Sequence, residues 1–226
     1  PGGFMNINYQ ECRQGGWCNC WFRSALDGLA FKRPEEIALV VQEGADRNFV
    51  VTFPGREPRA VVATRDDDAP FATALEEAAH AETGDAQTSR MISYGLGIEL
   101  LTGNGRTGYT NASGIGFAPL AVLFSRREWL VNRLTNATAR RRLMVLGGSD
   151  GEWTTPKLSW VPPRHCFGLL EYEPAHGTAR VRNPHGSDDG IPAERKRPGY
   201  GPGEFWVTPD ELEDSWCGLT IEDERA

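Results

Sequence analysis

The chain reads as an α+β protein, helix-rich at its start and mostly antiparallel β towards its end. Three observations predict this. Apolar residues at helical spacing lie early, short apolar runs set off by Gly and Pro lie late, and a stretch dense in Gly, Ser, Thr and Asn, 84–118, lies between them. That stretch is the expected boundary between two parts of one domain spanning 1–226. The part over 1–115 is expected to be mainly helical, and the part over 116–226 mainly β. A chain of 226 residues is long enough to bury a sizeable core without external staples.

The first helix is predicted to begin at Cys20. Trp21, Phe22, Ala25, Leu26, Leu29 and Ala30 recur at helical spacing, and Lys32, Arg33 and Pro34 close the run with cations and a breaker. Residues 48–53 and 60–64 read as a strand pair around the turn PGREPR. A second helix, rich in Ala, Leu and Glu, is expected over 71–82. A third starts near Ser125, where Ser125 and Glu128 have capping-box spacing, and its late arginines suit the negative end of the helix dipole. Short strands are then expected at 143–146, 166–172, 179–182 and 205–207. The turn PAHG makes a hairpin of the middle pair. Thr208, Pro209 and Glu211 announce a final short helix.

Composition narrows the partners. With 31 acidic against 24 basic residues and a net charge of -7, the chain offers nucleic acid or an anionic membrane no electrostatic attraction. No apolar run approaches the roughly 20 residues of a membrane helix, and none near the start has the form of a signal peptide, so a soluble chain is expected. It begins PGGFMNINYQ, without an initiator Met, as a processed form or a piece cut from a longer polypeptide would. Its compartment is not specified: cytoplasm, or delivery within a larger secreted protein.

Chemistry concentrates around GGWCNCWF. The five cysteines, Cys12, Cys18, Cys20, Cys166 and Cys217, are odd in number, which favours reduced thiols over a disulfide framework. Cys18 and Cys20 are one residue apart, which does not suit tetrahedral zinc. Cys20 differs from the rest because it opens a buried helix, where the dipole and free backbone amides lower a thiol's pKa. A nucleophile of that kind needs an imidazole partner. Of four histidines, His80 lies in a helix and suits a surface or packing role, and His176 lies in a solvated turn. His165 opens the strand HCFGLLEYE, from whose end a ring can reach a cleft, although a structural His fits there equally. Asn183 ends the next strand, where its side chain can reach that ring.

Taken together, these residues resemble a known family. Gln14, Gly15, Asn19, Cys20, Trp21 and Phe22, then His165, then Arg182, Asn183, Pro184 and Gly186, and finally GEFW at 203–206 follow the order of the protease core of calpain-like cysteine proteases. The helix over 71–82 and GIELLTG at 97–103 also look similar, and the likeness covers roughly residues 10–216. The resemblance implies a papain-like fold: a helical lobe carrying Cys20, a β lobe carrying His165 and Asn183, and substrate in the cleft between them. It further implies peptide-bond hydrolysis through a Cys20, His165, Asn183 triad and a thioester acyl-enzyme, with Gln14 and the Cys20 N–H forming the oxyanion hole. A protein or peptide substrate and an inhibitory or activating protein partner are the implied partners. No cofactor is expected.

Departures from the family pattern are specific. Cys18 and Asn19 stand where the family keeps Gly and Asp, which puts a second, oxidisable thiol beside the site and removes a carboxylate. His185 stands where the family has a Trp that screens the Asn–His hydrogen bond, a task Trp160 or Trp206 could take over. Animal members bind calcium. Here Glu11, Asp188, Asp189 and Glu204 are the only alignable acids and Pro202 replaces another, so a depleted oxygen set and calcium independence are expected, with no metal ligands assigned. Two other classes stay open: transglutaminase- or deamidase-type acyl transfer by the same Cys-His pair, and a catalytically weakened binding module. Composition and length suggest, by analogy, a bacterial domain at the end of a toxin-like or effector protein.

Overall fold

The computed structural model describes residues 5–15, 17–84, 94–110, 126–148 and 157–224. Helices and antiparallel sheets are mixed, an α+β architecture. Helix α1 covers Cys20–Lys32 and is buried on nearly every side, including Arg23, Ser24 and Asp27. A helix without a solvent face is a central one, and burial of Phe22, Leu26 and Leu29 contributes about 1.5–3 kcal/mol each.

Pro34 does more than end α1. It is the first residue of an unexpected helix, α2 (Pro34–Val40), where its missing N–H costs nothing and Glu35 and Glu36 favour the dipole. Strands β1 (Val41–Glu43), β2 (Asn48–Val51) and β3 (Arg59–Val62) form a three-stranded sheet in that order. The pair β2 and β3 is the expected one. β1 has only Val41 buried, too short a signal for periodicity to show. Helix α3 (Pro70–Thr83) follows.

The stretch 84–118 does not simply interrupt regular structure. It contains α4 (Leu96–Thr102), which ends at Gly103 in the left-handed region, and β4 (Arg106–Thr110). Its residues 85–93 and 111–118 lie outside the described residues, as does Ser125, the expected cap of α5 (Arg126–Ala139). Strands β5 (Met144–Gly148), β6 (Cys166–Glu173), β7 (Thr178–Arg182) and β8 (Glu204–Val207) appear near the expected places. Helix α6 (Pro209–Ser215) has its full capping box, Thr208 with Glu211. The last strand, β9 (Trp216–Glu222), was not expected. It follows α6 with no intervening turn and is buried throughout, so no punctuation marks its start.

The second sheet is antiparallel with order β4-β9-β5-β6-β7-β8, so β4, from the first 115 residues, is one of its edges. The two-residue pleat sorts its side chains onto opposite faces. Leu143, Val145 and Cys166 join the core around α1, α3 and α4, whereas Met144, Leu146, Phe167 and Leu169 join a second core under α5 and α6. Helix α1 therefore lies against one face of this sheet, and Gly168 lets them close: a Cβ there would come within 2.9 Å of the Ser24 carbonyl oxygen.

Candidate functional site

Cys20 is the first residue of α1, where the backbone N–H groups have no acceptor within the helix. Its N-cap, Asn19, does not cap with its side chain. The Asn19 amide donates instead to the buried carboxylate of Glu76 on α3, which is 3.5 Å from the Arg23 guanidinium. Arg23 is in turn paired with Asp68. A carboxylate from α3 thus meets Asn19, and the first turn of α1 is fixed by a buried ionic network.

His165 enters from the start of β6 and is only 8% exposed. Arg164, in the left-handed region at φ 55°, turns the chain into the strand. Opposite it, Gly148 admits the close backbone approach: its N–H donates to the His165 carbonyl at 2.8 Å, and a Cβ would lie 2.5 Å from that oxygen. The ring Nε2 is 2.9 Å from Asn183 Oδ1. That oxygen also accepts the His185 backbone N–H at 3.1 Å. A backbone N–H can only donate, so the Asn183 atom is an oxygen and the ring nitrogen facing it is the donor. Nδ1 is left as the nitrogen able to exchange a proton with a thiol.

Three of the four expected residues bear on one another: His165 Nε2 meets Asn183 Oδ1, and His165 lowers the pKa of the Cys20 thiol. Asn183 is held by its own N–H to the Gly203 carbonyl at 2.9 Å, and Gly203 at φ 76° leaves no space for a side chain beside that residue. Gln14 is tied to the same loop by its backbone N–H to the Pro184 carbonyl at 2.7 Å. Its side-chain nitrogen donates to the Trp17 carbonyl at 2.9 Å, which leaves one amide hydrogen uncommitted.

The thiol of Cys20 is pulled down to about 4. The largest cause is a hydrogen bond from Cys166, opposed by burial and reinforced by the hydrogen bond and charge of His165. Cys166, adjacent to His165 in sequence, is 2% exposed, and burial with the Cys20 charge pushes its own thiol far up. Nothing in the sequence reading had paired it with Cys20. Strand alternation carries the signal: residues 165 and 166 face opposite sides, so a ring leaving the strand end places residue 166 towards α1. Cys18 is exposed, and Cys217 lies behind the site with its Sγ 2.9 Å from the Gly148 carbonyl oxygen.

His185 is not a gap where a Trp should be. Its ring stacks on His165 with centroids 4.8 Å apart and planes 6° from parallel, while the Phe167 ring meets His165 edge-on at 4.9 Å. Burial, then the neighbouring His165, lowers the His185 pKa. Trp160 and Trp206 are engaged elsewhere, Trp160 edge-on to Phe205 and Trp206 under Arg195 and Arg197. His80 packs on Trp17 at 4.5 Å.

Three of the four candidate calcium acids have protein partners. Glu204 is buried and accepts from Arg180 and the Gly201 N–H, Asp188 accepts from Lys196 and the Gly203 N–H, and Glu11 accepts from Asn8. Among the described residues, no cluster of three or more His, Cys, Asp or Glu side chains is arranged to hold a metal. No helix there is long and apolar enough to cross a membrane. A scan against models of known families and a search of curated proteins each returned no match.

Chemically, a thiolate at a helix N-terminus, an imidazole within its reach and an amide orienting that imidazole can carry out nucleophilic acyl transfer.

Proposed function

We propose that this chain is a cysteine endopeptidase with a papain-like, calpain-like catalytic core, its two lobes meeting where α1 packs against the large sheet. The observation that carries the reading is the 2.9 Å contact of His165 Nε2 with Asn183 Oδ1, together with a Cys20 thiol at the start of α1 whose pKa His165 lowers. With its pKa near 4, Cys20 is a thiolate at neutral pH, by about 1000 to 1.

In this mechanism the Cys20 sulfur attacks the scissile carbonyl carbon. The Cys20 N–H and the remaining Gln14 amide hydrogen receive the oxyanion, each donor worth about 2.7–4 kcal/mol in comparable sites. His165 Nδ1 gives its proton to the leaving amine, then takes one from the water that opens the thioester. Asn183, fixed by the His185 N–H, keeps Nε2 as the donor throughout. An amide as third member favours hydrolysis over transglutaminase-type transfer, where a carboxylate is usual.

The test incubates the protein with an unfolded protein substrate and with an epoxide inhibitor of papain-like proteases, with and without chelator, beside Cys20→Ala and His165→Ala. Cleavage and epoxide adduct formation at Cys20 are expected in the wild type alone, unaffected by chelator. Cleavage that survives in Cys20→Ala sinks the proposal. Ammonia release from glutamine without chain cleavage would move the chain to the deamidase class, and an unreactive Cys20 to a binding role.

A further inference from the structure

The nucleophile of the proposed protease has a second thiol built against it. Helix α1 and strand β6 run side by side, with Gly168 seated on Ser24. One helical turn back from Ser24 is Cys20, about 6 Å away, and two residues back along the strand is Cys166, about 6.6 Å away. The matched steps place Cys20 and Cys166 at the same end of the α1–β6 contact, and each thiol shifts the pKa of the other. Cys166 belongs to the buried core that Cys20 packs against, and both are free thiols. The endopeptidase reading has no use for Cys166.

We propose that Cys20 and Cys166 are a modification site for hydroperoxides, a redox pair in which Cys20 is oxidised first and Cys166 resolves it as a reversible disulfide. This rests on the Cys20 thiolate of the proposed function. That sulfur attacks one peroxide oxygen, the O–O bond breaks, and a sulfenic acid forms. The departing hydroxide takes a proton relayed from solvent by His165 and leaves as water. The Cys166 sulfur then attacks the sulfenyl sulfur: the S–S bond forms, the S–O bond breaks, and the Cys166 proton leaves with that oxygen as a second water. Two thiols are oxidised by two electrons in total, and one peroxide is reduced to two waters.

The buried position gives the pair its purpose. A sulfenic acid left alone is oxidised further and irreversibly, whereas a disulfide is restored by a thiol reductant. The high pKa of the Cys166 thiol keeps it protonated and unreactive towards peroxide in bulk, so it acts only on the sulfenic acid beside it. Cys18, exposed and two residues from Cys20, is the competing partner.

The experiment treats wild type, Cys166→Ala and Cys18→Ser with one to five equivalents of hydrogen peroxide. Disulfide-linked peptides are then mapped by mass spectrometry, and iodoacetamide labelling of Cys20 is followed before and after dithiothreitol. The expected result is a Cys20–Cys166 linkage in wild type and Cys18→Ser, with labelling restored more than tenfold by dithiothreitol. In Cys166→Ala, Cys20 should go to the sulfinic acid and stay unlabelled. A Cys18–Cys20 linkage in wild type, or equal irreversible loss in wild type and Cys166→Ala, overturns the proposal. If Cys166→Ala fails to fold, the wild-type peptide map decides. The readout needs no proteolysis, so absent cleavage with an intact Cys20–Cys166 linkage refutes the protease reading and leaves the redox pair standing.

Discussion

Replacing Cys166 with Ala should raise the pKa of Cys20 and leave its reactivity at alkaline pH unchanged. In the native site the hydrogen bond from Cys166 is the largest influence holding that thiol near 4, ahead of both contributions of His165. A hydrogen bond to a charged group is worth about 1.5–3 kcal/mol, or about one to two pH units. The variant's thiol should therefore titrate at about 5–6. The sign follows from the thiolate being the reactive form: labelling is lost as pH falls through the folded-state pKa, so the acid limb moves up. At pH 5 the wild type is about nine-tenths thiolate and the variant about one-tenth to one-half, a two- to tenfold fall in labelling rate. At pH 8 the two rates should agree. The assay is the second-order rate of iodoacetamide reaction at Cys20, read by mass spectrometry from pH 3 to 9. An unchanged midpoint in a folded variant would refute the assignment of Cys166 as the donor.

Protonation of His185 puts a cation face to face with the His165 ring, and its pKa lies below the ordinary 6.5, so activity should fall with acid before the thiolate itself is lost. His185→Phe, which stacks without ionising, should shift that limb of the kcat/KM profile to lower pH. Arg182→Met leaves Asp27 buried without its 3.2 Å partner and should cost about 3–5 kcal/mol in urea unfolding. Thr208→Ala removes the cap of α6 and should cost about 1 kcal/mol by the same measurement. Asn183→Ala should lower kcat about tenfold with little change in KM, because one hydrogen bond that orients the imidazole is lost while the binding surface stays.

Legibility along the chain followed the strength of local signals. α1 was readable because breaker residues and helical spacing agree over more than three turns, and α6 because Thr208, Pro209 and Glu211 carry its whole start. β1 and α2 were missed because three residues give no period and because Pro34 serves as both stop and start. β9 was missed for another reason. The residues 216–222 are buried on both faces between β4 and β5 and follow α6 directly, so no turn residue sets them off as a strand. At the site, Cys20, His165 and Asn183 were readable because each sits at the end of an element, where a side chain can leave the packed interior. Glu76 and the stacked ring of His185 were not, since their roles depend on neighbours distant in the chain.

By itself the sequence determined the α+β class, the start of the central helix at Cys20 and the strand-end position of His165. Periodicity, caps and breakers act over a few residues, and those features need no more. Only the tertiary structure decided which groups meet. The close approach of α1 to β6, permitted by Gly168, puts Cys166 rather than Cys18 against Cys20. The pleat sends neighbouring residues of β6 into different cores. The folded Asn183 loop fixes one tautomer of His165 and lays His185 over its ring. The α1–β6 contact joins residues more than a hundred positions apart, and the energies of all these contacts depend on burial and register that no local pattern encodes.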